Sequence, residues 1–327
     1  MSGNEFDEIA ELFRPLTQAA PEALGLMDDA AVIPSRPGYD LVVTKDAIIA
    51  GVHALADDPP ADLARKLLRV NLSDLAAKGA IADGAFLAVS WPKSWDISER
   101  REFAQGLGED CKAFGVRLFG GDTVRTPGPF QASLTLLGWV PAGRMVRRGG
   151  AHPGDMLLVT GSIGDGFLGL SAAQGAGDFG DADRIWLADR YRRPQPRTNV
   201  SEVLRQFATA AADVSDGLIA DAGHVGEASG VKLSLDLDRI PLSPAASRWL
   251  DQQADKSAAR VVLATGGDDY EIVCTAPPQN VTPLQEQFRV LGISLSVIGR
   301  VEAGEGTIVI SKGRELVVSQ RGWSHIQ

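Results

Sequence analysis

Hydrophobic and polar positions change period along the chain, marking short strands between longer helices. Leu41 to Thr44 is a strand-like run, and Asp58-Pro59-Pro60 reads as the cap and first turn of a helix continuing to about Lys78. On that helix Leu68, Leu72 and Leu75 share one face, with Leu67, Asn71, Asp74 and Lys78 on the neighbouring stripe. Asp74 is thereby expected at the edge of the buried face. Ala85 to Trp91 reads as a strand, Asp96 with Glu99 has the form of a capping box, and Gly115 suits a left-handed cap at the end of the helix between them. Val116 to Phe119 reads as a short buried strand that delivers Gly120-Gly121-Asp122-Thr123 at its end, and Gln131 to Val140 as a further strand.

Pro141, Gly143, Gly149, Gly150, Pro153 and Gly154 crowd one stretch, which makes it the expected linker between residues 1–142 and 143–327. The second half opens with the strand Met156 to Thr160, the glycine turn Gly161 to Gly166 and a helix. Gln174 to Asp183 reads as a mobile loop. A helix is expected from about Asp216 to Ser229 and another from Pro283 to Leu291. Strands are expected at Lys232 to Leu237, Tyr270 to Cys274, Ser294 to Val301, Thr307 to Ile310 and Glu315 to Val318. The fold class expected is α/β, of α+β sandwich type: two similar-sized domains, each a mixed sheet with helices.

Composition narrows the function classes. The 327 residues exceed the usual size of one domain, and 44% hydrophobic with 23% charged residues is ordinary for a globular protein. The net charge of -10, with Arg190 to Arg197 as the one basic cluster, argues against nucleic acid as partner. A polyanionic ligand would have to arrive with its own cations. Two cysteines, Cys111 and Cys274, make neither a disulfide framework nor a thiolate metal site. The acidic start Met1 to Asp7 is unlike a signal peptide, and no apolar stretch approaches the ~18 residues of a membrane span. A cytoplasmic location is expected, with no membrane partner.

The candidate chemistry lies in the acidic residues. Asp28-Asp29, Thr44-Lys45-Asp46, Asn71 to Asp74, Gly120 to Thr123, Asp213 to Gly217 and Gly266 to Asp269 each follow a hydrophobic run where it gives way to Gly, Ser or Thr. Taken singly, each Asp reads as a helix cap or turn residue. Six together point to a shared crevice. Two unit charges about 4 Å apart at an effective dielectric of ~20 repel by ~4 kcal/mol, so such a crevice needs cations. Oxygen ligands alone suit hard divalent ions, magnesium above all where phosphates complete the shell.

Known nucleotide motifs are absent: there is no P-loop and no kinase His-Arg-Asp or Asp-Phe-Gly set. Gly161 to Gly166 could cradle phosphate, but its glycine order is not that of a dinucleotide fingerprint, and a tight strand-to-helix turn explains it. His53, His152, His224 and His325 are too scattered for a zinc motif, and only His53 lies close to an acidic segment. No activated nucleophile is visible.

Read in order, the segments resemble those of the thiamine-monophosphate kinases. The matching stretches are Asp28 to Val32, Thr44 to Asp46 with Gly51-Val52-His53, Val70 to Ala77, Gly120 to Thr123, Arg148 to Asp155, Tyr191 to Arg197, Asp213 to Leu218 and Gly266 to Glu271. They span nearly the whole chain. That family is related to aminoimidazole ribonucleotide synthetase, and the resemblance implies two α/β domains in a homodimer that transfers the γ-phosphoryl of ATP to thiamine monophosphate. It further implies that Asp29, Thr44, Asp46, Asp74, Asp122, Asp213 and Asp216 bind several Mg2+ ions, that Gly121, Arg148 and Ser215 contact ATP, and that His53, Asp268 and Trp323 contact thiamine monophosphate. Asp46, Asp122 and Arg148 would carry the catalysis, with Arg147 an alternative to Arg148 by spacing.

Met27, Lys45, Ala54 and Asp268 depart from the family pattern. Asp268 stands for a more usual Glu, keeping the charge with less reach. Other ATP-using enzymes of the superfamily, a magnesium-dependent phosphohydrolase and a nucleotide-sensing dimer are the competing readings. The catalytic Cys of selenophosphate synthetase and the C-terminal Cys of the hydrogenase-maturation protein have no counterpart here.

Overall fold

The leucine periodicity of residues 60–77 becomes one helix because its apolar face meets a four-stranded sheet. In the computed structural model, which describes residues 5–322, Met1–Leu75 with Ala80–Gly143 form one unit and Ala76–Gly79 with Arg144–Gln327 the other. The first runs α1 (Glu5–Leu12), β1 (Tyr39–Ile49), α2 (Pro60–Ala77), β2 (Ile81–Pro92), α3 (Ile97–Phe114), β3 (Arg117–Thr126) and β4 (Gln131–Pro141). Its sheet has the order β1, β4, β2, β3, antiparallel except for the parallel β2–β3 pair.

Leu63, Leu67, Leu68, Leu72 and Leu75 of α2 pack with Phe103 and Leu107 of α3 against Leu87, Val89, Leu134 and Leu136 of the sheet. The buried face of α2 is wider than the expected stripe, since Leu67 and Asn71 are also fully buried. The reason is α3: Gly106 lets it lie against the backbone of Ala61, and Arg69 of α2 donates to Asp110 of α3 at 2.6 and 3.0 Å. Asp96 caps α3 through Ser98 N–H while Glu99 returns to the Asp96 N–H, and Gly115 closes the helix at φ 68°. Ahead of α2, the Asp58 carboxylate accepts from Leu55 N–H at 2.9 Å, closing the preceding turn.

Two strands are longer than the hydrophobic runs suggested. β1 pairs with β4 along all its residues, so Thr44, Lys45 and Asp46 lie inside it. β3 likewise runs through Gly120 to Thr123 and on to Thr126 because β2 continues to bond it.

The second unit comprises β5 (Met156–Thr160), α4 (Asp165–Ala173), α5 (Asp181–Arg192), α6 (Ser201–Phe207), β6 (Ala210–Val214), α7 (Leu218–Ser229) and β7 (Lys232–Asp236). It continues with α8 (Pro244–Asp251), α9 (Lys256–Thr265), β8 (Glu271–Ala276), α10 (Pro278–Val290), β9 (Leu295–Glu302), β10 (Gly306–Ser311) and β11 (Arg314–Leu316). The sheet order is β11, β10, β7, β9, β5, β8, β6. Residues of α7 pack in one core with the sheet, and residues of α6 and α10 in another. Helices therefore cover both faces, and β6 and β8 are buried at every position, their polar residues Asp213, Glu271 and Thr275 included. The expected loop at Gln174 to Asp183 is shorter, with Arg184 holding it by bonds to the Ala176 and Gly177 carbonyls. Among the described residues no helix is long and apolar enough to cross a membrane.

Candidate active site

Alternation along β1 turns Thr44 and Asp46 toward α2, where Asn71 and Asp74 lie one helical turn apart. Thr44 Oγ1 donates to Asp74 Oδ2 at 2.5 Å. β1 is an edge strand, so some of its backbone donors lack a neighbouring strand. Asn71 Oδ1 accepts one of them, Asp46 N–H, at 3.1 Å, while its Nδ2 donates to the Leu67 carbonyl at 2.8 Å. Asn71 thus fixes the height of Asp46 against the helix. Past the strand end, Gly51 at φ 86° reverses the chain and His53 Nδ1 accepts from Ile49 N–H at 3.1 Å. That bond leaves Nε2 as the nitrogen carrying hydrogen in the neutral ring.

Gly121 and Asp122 lie on the opposite edge of the same sheet. Asp46 pairs with Leu134, Leu134 with Leu87, and Leu87 with Gly121, so one row of the sheet joins the two motifs. Three strand spacings separate its ends, about 14 Å. The β2–β3 register shifts beside Phe86, where Phe119 bulges to pack edge-on against Phe86 at 5.9 Å. A Cβ on Gly121 would overlap the Leu87 carbonyl. Glycine is required there by a close backbone approach inside the strand.

Beside that edge a cleft of about 480 Å³ is lined by Asp28, Asp29, Phe86, Phe119, Gly121 and Asp122. Asp28 and Asp29 belong to a loop whose neck is closed by Val32 N–H donating to the Glu22 carbonyl at 3.1 Å. Arg117, near the start of β3, donates to both Glu22 carboxylate oxygens at 2.8 and 2.7 Å. Burial would raise the Glu22 pKa, but the bonds and charge of Arg117 outweigh it and hold the carboxyl below its ordinary value. This ion pair ties the Asp29 loop to the strand that carries Asp122.

In the second unit the candidates gather on two loops. Asp213 lies one residue before the end of β6 and is buried; Ser215 and Asp216 follow the strand, half-buried. Asp221 of α7, itself buried, folds back so that one carboxylate oxygen accepts from Ser215, Asp216 and Gly217 N–H at 3.0, 3.0 and 3.2 Å. Asp269 does the same for the turn at Gly161 to Gly166, accepting from Gly164 N–H at 2.8 Å and Gly166 N–H at 3.0 Å. Burial, with the Asp165 charge adding to it, pushes the Asp269 carboxyl well above its ordinary pKa. Both turns that could have cradled phosphate are filled by carboxylates of the chain itself.

The loop before β8 is bonded to the Asp213 loop, with Asp268 N–H donating to the Ser215 carbonyl and Tyr270 N–H to the Val214 carbonyl, each at 2.8 Å. Arg148 is exposed on a turn whose backbone is anchored by Ser229: its hydroxyl donates to the Arg148 carbonyl at 3.2 Å and accepts from Gly150 and Ala151 N–H at 3.1 Å. Trp323 lies outside the described residues.

Within the first unit, then, Thr44, Asp46 and Asp74 come together at one sheet edge and Asp29, Gly121 and Asp122 at the other. In the second, Asp213, Ser215, Asp216 and Asp268 come together and Arg148 lies on its own turn. Among the described residues no three His, Cys, Asp or Glu side chains converge to hold a metal ion. Asp221 escaped the sequence reading because it acts on backbone, as does Asn71 of the candidate segment Asn71 to Asp74. Glu271, fully buried, accepts from Arg197 Nε at 2.7 Å and Thr160 Oγ1 at 2.7 Å, and so joins two of the motif segments.

Residues 27–140 match the AIR synthase related protein N-terminal domain, and residues 152–312 the corresponding C-terminal domain. Thiamine-monophosphate kinase of Caulobacter vibrioides is 53% identical over 98% of this chain and 90% of its own length. The crystal structure of thiamine-monophosphate kinase from Stenotrophomonas maltophilia, 36% identical, superposes with a TM-score of 0.83 over 94% of this chain and 97% of that one. AaThiL complexed with AMPPCP and TMP, 28% identical, gives 0.78 over 90% and 89%.

Proposed function

The chain belongs to the thiamine-monophosphate kinase family, and from that membership we propose that it moves the γ-phosphoryl of ATP onto the phosphate of thiamine monophosphate, giving thiamine diphosphate. The observation that carries this is the 53% identity to a thiamine-monophosphate kinase across nearly the full chain. A relative solved with an ATP analogue and TMP has the same fold.

The acceptor is already an anionic phosphate oxygen at neutral pH, so in-line attack needs no strong general base. What it needs is two mutually repelling phosphates held in line, with their charge offset. The oxygen-only donors of Asp29, Thr44, Asp46, Asp74, Asp122, Asp213 and Asp216 fit Mg2+, which when bound would neutralise the phosphates. Arg148 supplies a phosphate contact from the protein, with Gly121 and Ser215 beside the nucleotide. His53, Asp268 and Trp323 address thiamine monophosphate. Residues 1–142 form the metal and ATP domain in this reading and 143–327 the second domain, in a cytoplasmic enzyme.

The enzyme is a homodimer in this reading, and the second copy completes the metal site. Two features support that. Tyr39, Leu41 and Val43 form an exposed apolar row on β1, at 51%, 44% and 55% exposure. Asp46 and Asp122 lie at opposite sheet edges, which a two-fold pairing of sheets would bring together.

Incubation with ATP, Mg2+ and thiamine monophosphate tests the assignment. Thiamine diphosphate is the expected product. Free thiamine would instead indicate a phosphohydrolase, and binding without turnover a nucleotide sensor.

A further inference from the structure

The loop between α9 and β8 holds two non-glycine residues in the left-handed region, Asp268 at φ 63° and Tyr270 at φ 51°. Such a conformation is disfavoured for side chains larger than glycine and persists only where the surroundings over-determine it. Here they do. Asp269, between the two, is buried and pinned by Gly164 and Gly166 N–H, while the backbone N–H groups of Asp268 and Tyr270 are pinned to the Ser215 and Val214 carbonyls. The backbone thereby turns the side chains of Asp268 and Tyr270 the same way, and Tyr270 Oη donates to Asp268 Oδ1 at 3.0 Å.

A helix would have turned these two side chains to different sides, and an ordinary turn would not need a tyrosine in this region. The strain places a phenol on a carboxylate two residues away.

We propose that Tyr270 is a positioning residue for thiamine monophosphate: its hydroxyl fixes the rotamer of Asp268, so that the carboxylate meets the cationic, N–H-bearing thiamine moiety in one orientation. The proposal rests on the assignment of Asp268 to that substrate. Tyr270 acts through Asp268 and not on ATP.

Steady-state kinetics of Tyr270→Phe, Asp268→Ala and the double variant separate the possibilities. Asp268→Ala is expected to raise KM for thiamine monophosphate by about tenfold or more, and Tyr270→Phe by roughly three- to tenfold, with KM for ATP unchanged in both. In the Asp268→Ala background, Tyr270→Phe should add nothing. An unchanged KM in Asp268→Ala would overturn the reading of Asp268 and this inference with it. A raised KM in Asp268→Ala with none in Tyr270→Phe would overturn the inference alone. So would independent effects in the double variant, or an equal rise in KM for ATP, which a merely structural tyrosine would produce.

Discussion

If one copy of the chain supplies Asp46 and the other Asp122 to a shared site, the variants Asp46→Asn and Asp122→Asn should each lose activity and restore each other. The sheet sets the expectation. Asp46 and Gly121 lie on one row, with β4 and β2 between them. Three spacings place their backbones about 14 Å apart. A magnesium ion holds oxygens at about 2.1 Å, so the ligands of one ion lie within roughly 4 Å of each other. One copy cannot present both carboxylates to one ion across that width, whereas the edge of a second copy can.

Each parent variant should lose activity by about a hundredfold or more, since several kcal/mol of charge stabilisation go with a metal ligand. Co-expression with two different tags yields the heterodimer. Of its two sites one has both residues intact and the other has neither, so the purified heterodimer should recover about half the wild-type turnover per dimer. The assay is thiamine diphosphate formation from ATP and thiamine monophosphate. Recovery no greater than the parents would refute the shared site and return both carboxylates to one copy.

Thr44→Val removes the donor to Asp74 and should cost about 1 kcal/mol, less than a buried charged bond because both residues are half-buried; urea unfolding at wild-type stability would contradict this. Gly121→Ala should cost about 2 kcal/mol in the same assay, because the clash is with the Leu87 backbone and no side chain can swing away. Asp269 binds its proton more tightly folded than unfolded, so its contribution to stability is full below the unfolded pKa and lost as pH rises toward the folded one. Asp269→Asn removes that dependence. Its stability relative to wild type should therefore rise as pH increases above the unfolded pKa of about 4, whatever the constant offset, and a pH-independent difference in unfolding free energy would count against the raised pKa.

The parts of the fold that could be read in advance are those fixed by neighbours in sequence. Asp96, Glu99 and Gly115 bound α3 because a cap needs only residues three or four apart. Strand ends are different. β1 runs beyond Thr44 and β3 beyond Phe119 because β4 and β2 continue to bond them, and nothing within the segments announces it. Gly120-Gly121 therefore looked like a strand end, although Gly121 is what allows the strand to continue beside Leu87. Helices α8 and α9 carried legible signals, the caps Ser243 before Pro244 and Asp255 before Lys256, but were not expected because each is short. The acidic motifs were legible as candidates for the site. Their placement on opposite edges of one sheet was not, since it depends on strand order.

The same distinction explains which glycine turns deserve a phosphate. Gly161 to Gly166, read by sequence as a possible cradle, and Ser215 to Gly217, which the structure places before α7, both offer backbone N–H groups ahead of a helix, the arrangement that ordinarily receives an anion. Asp269 and Asp221 have already occupied them, one from a strand-side loop far along the chain and one from the first turns of the adjoining helix. A turn whose donors face a buried carboxylate has no potential left to offer a polyphosphate. What it gains is rigidity, so the loops that carry Ser215, Asp216 and Asp268 are braced from within while those side chains stay half-exposed. With a net charge of -10 the chain repels free nucleotide at long range. Acidic loops braced in this way are suited to receive a nucleotide whose charge has been offset by cations, and it is this pairing of filled cradles with outward carboxylates that favours the metal-assisted reading over a direct backbone grip on phosphate.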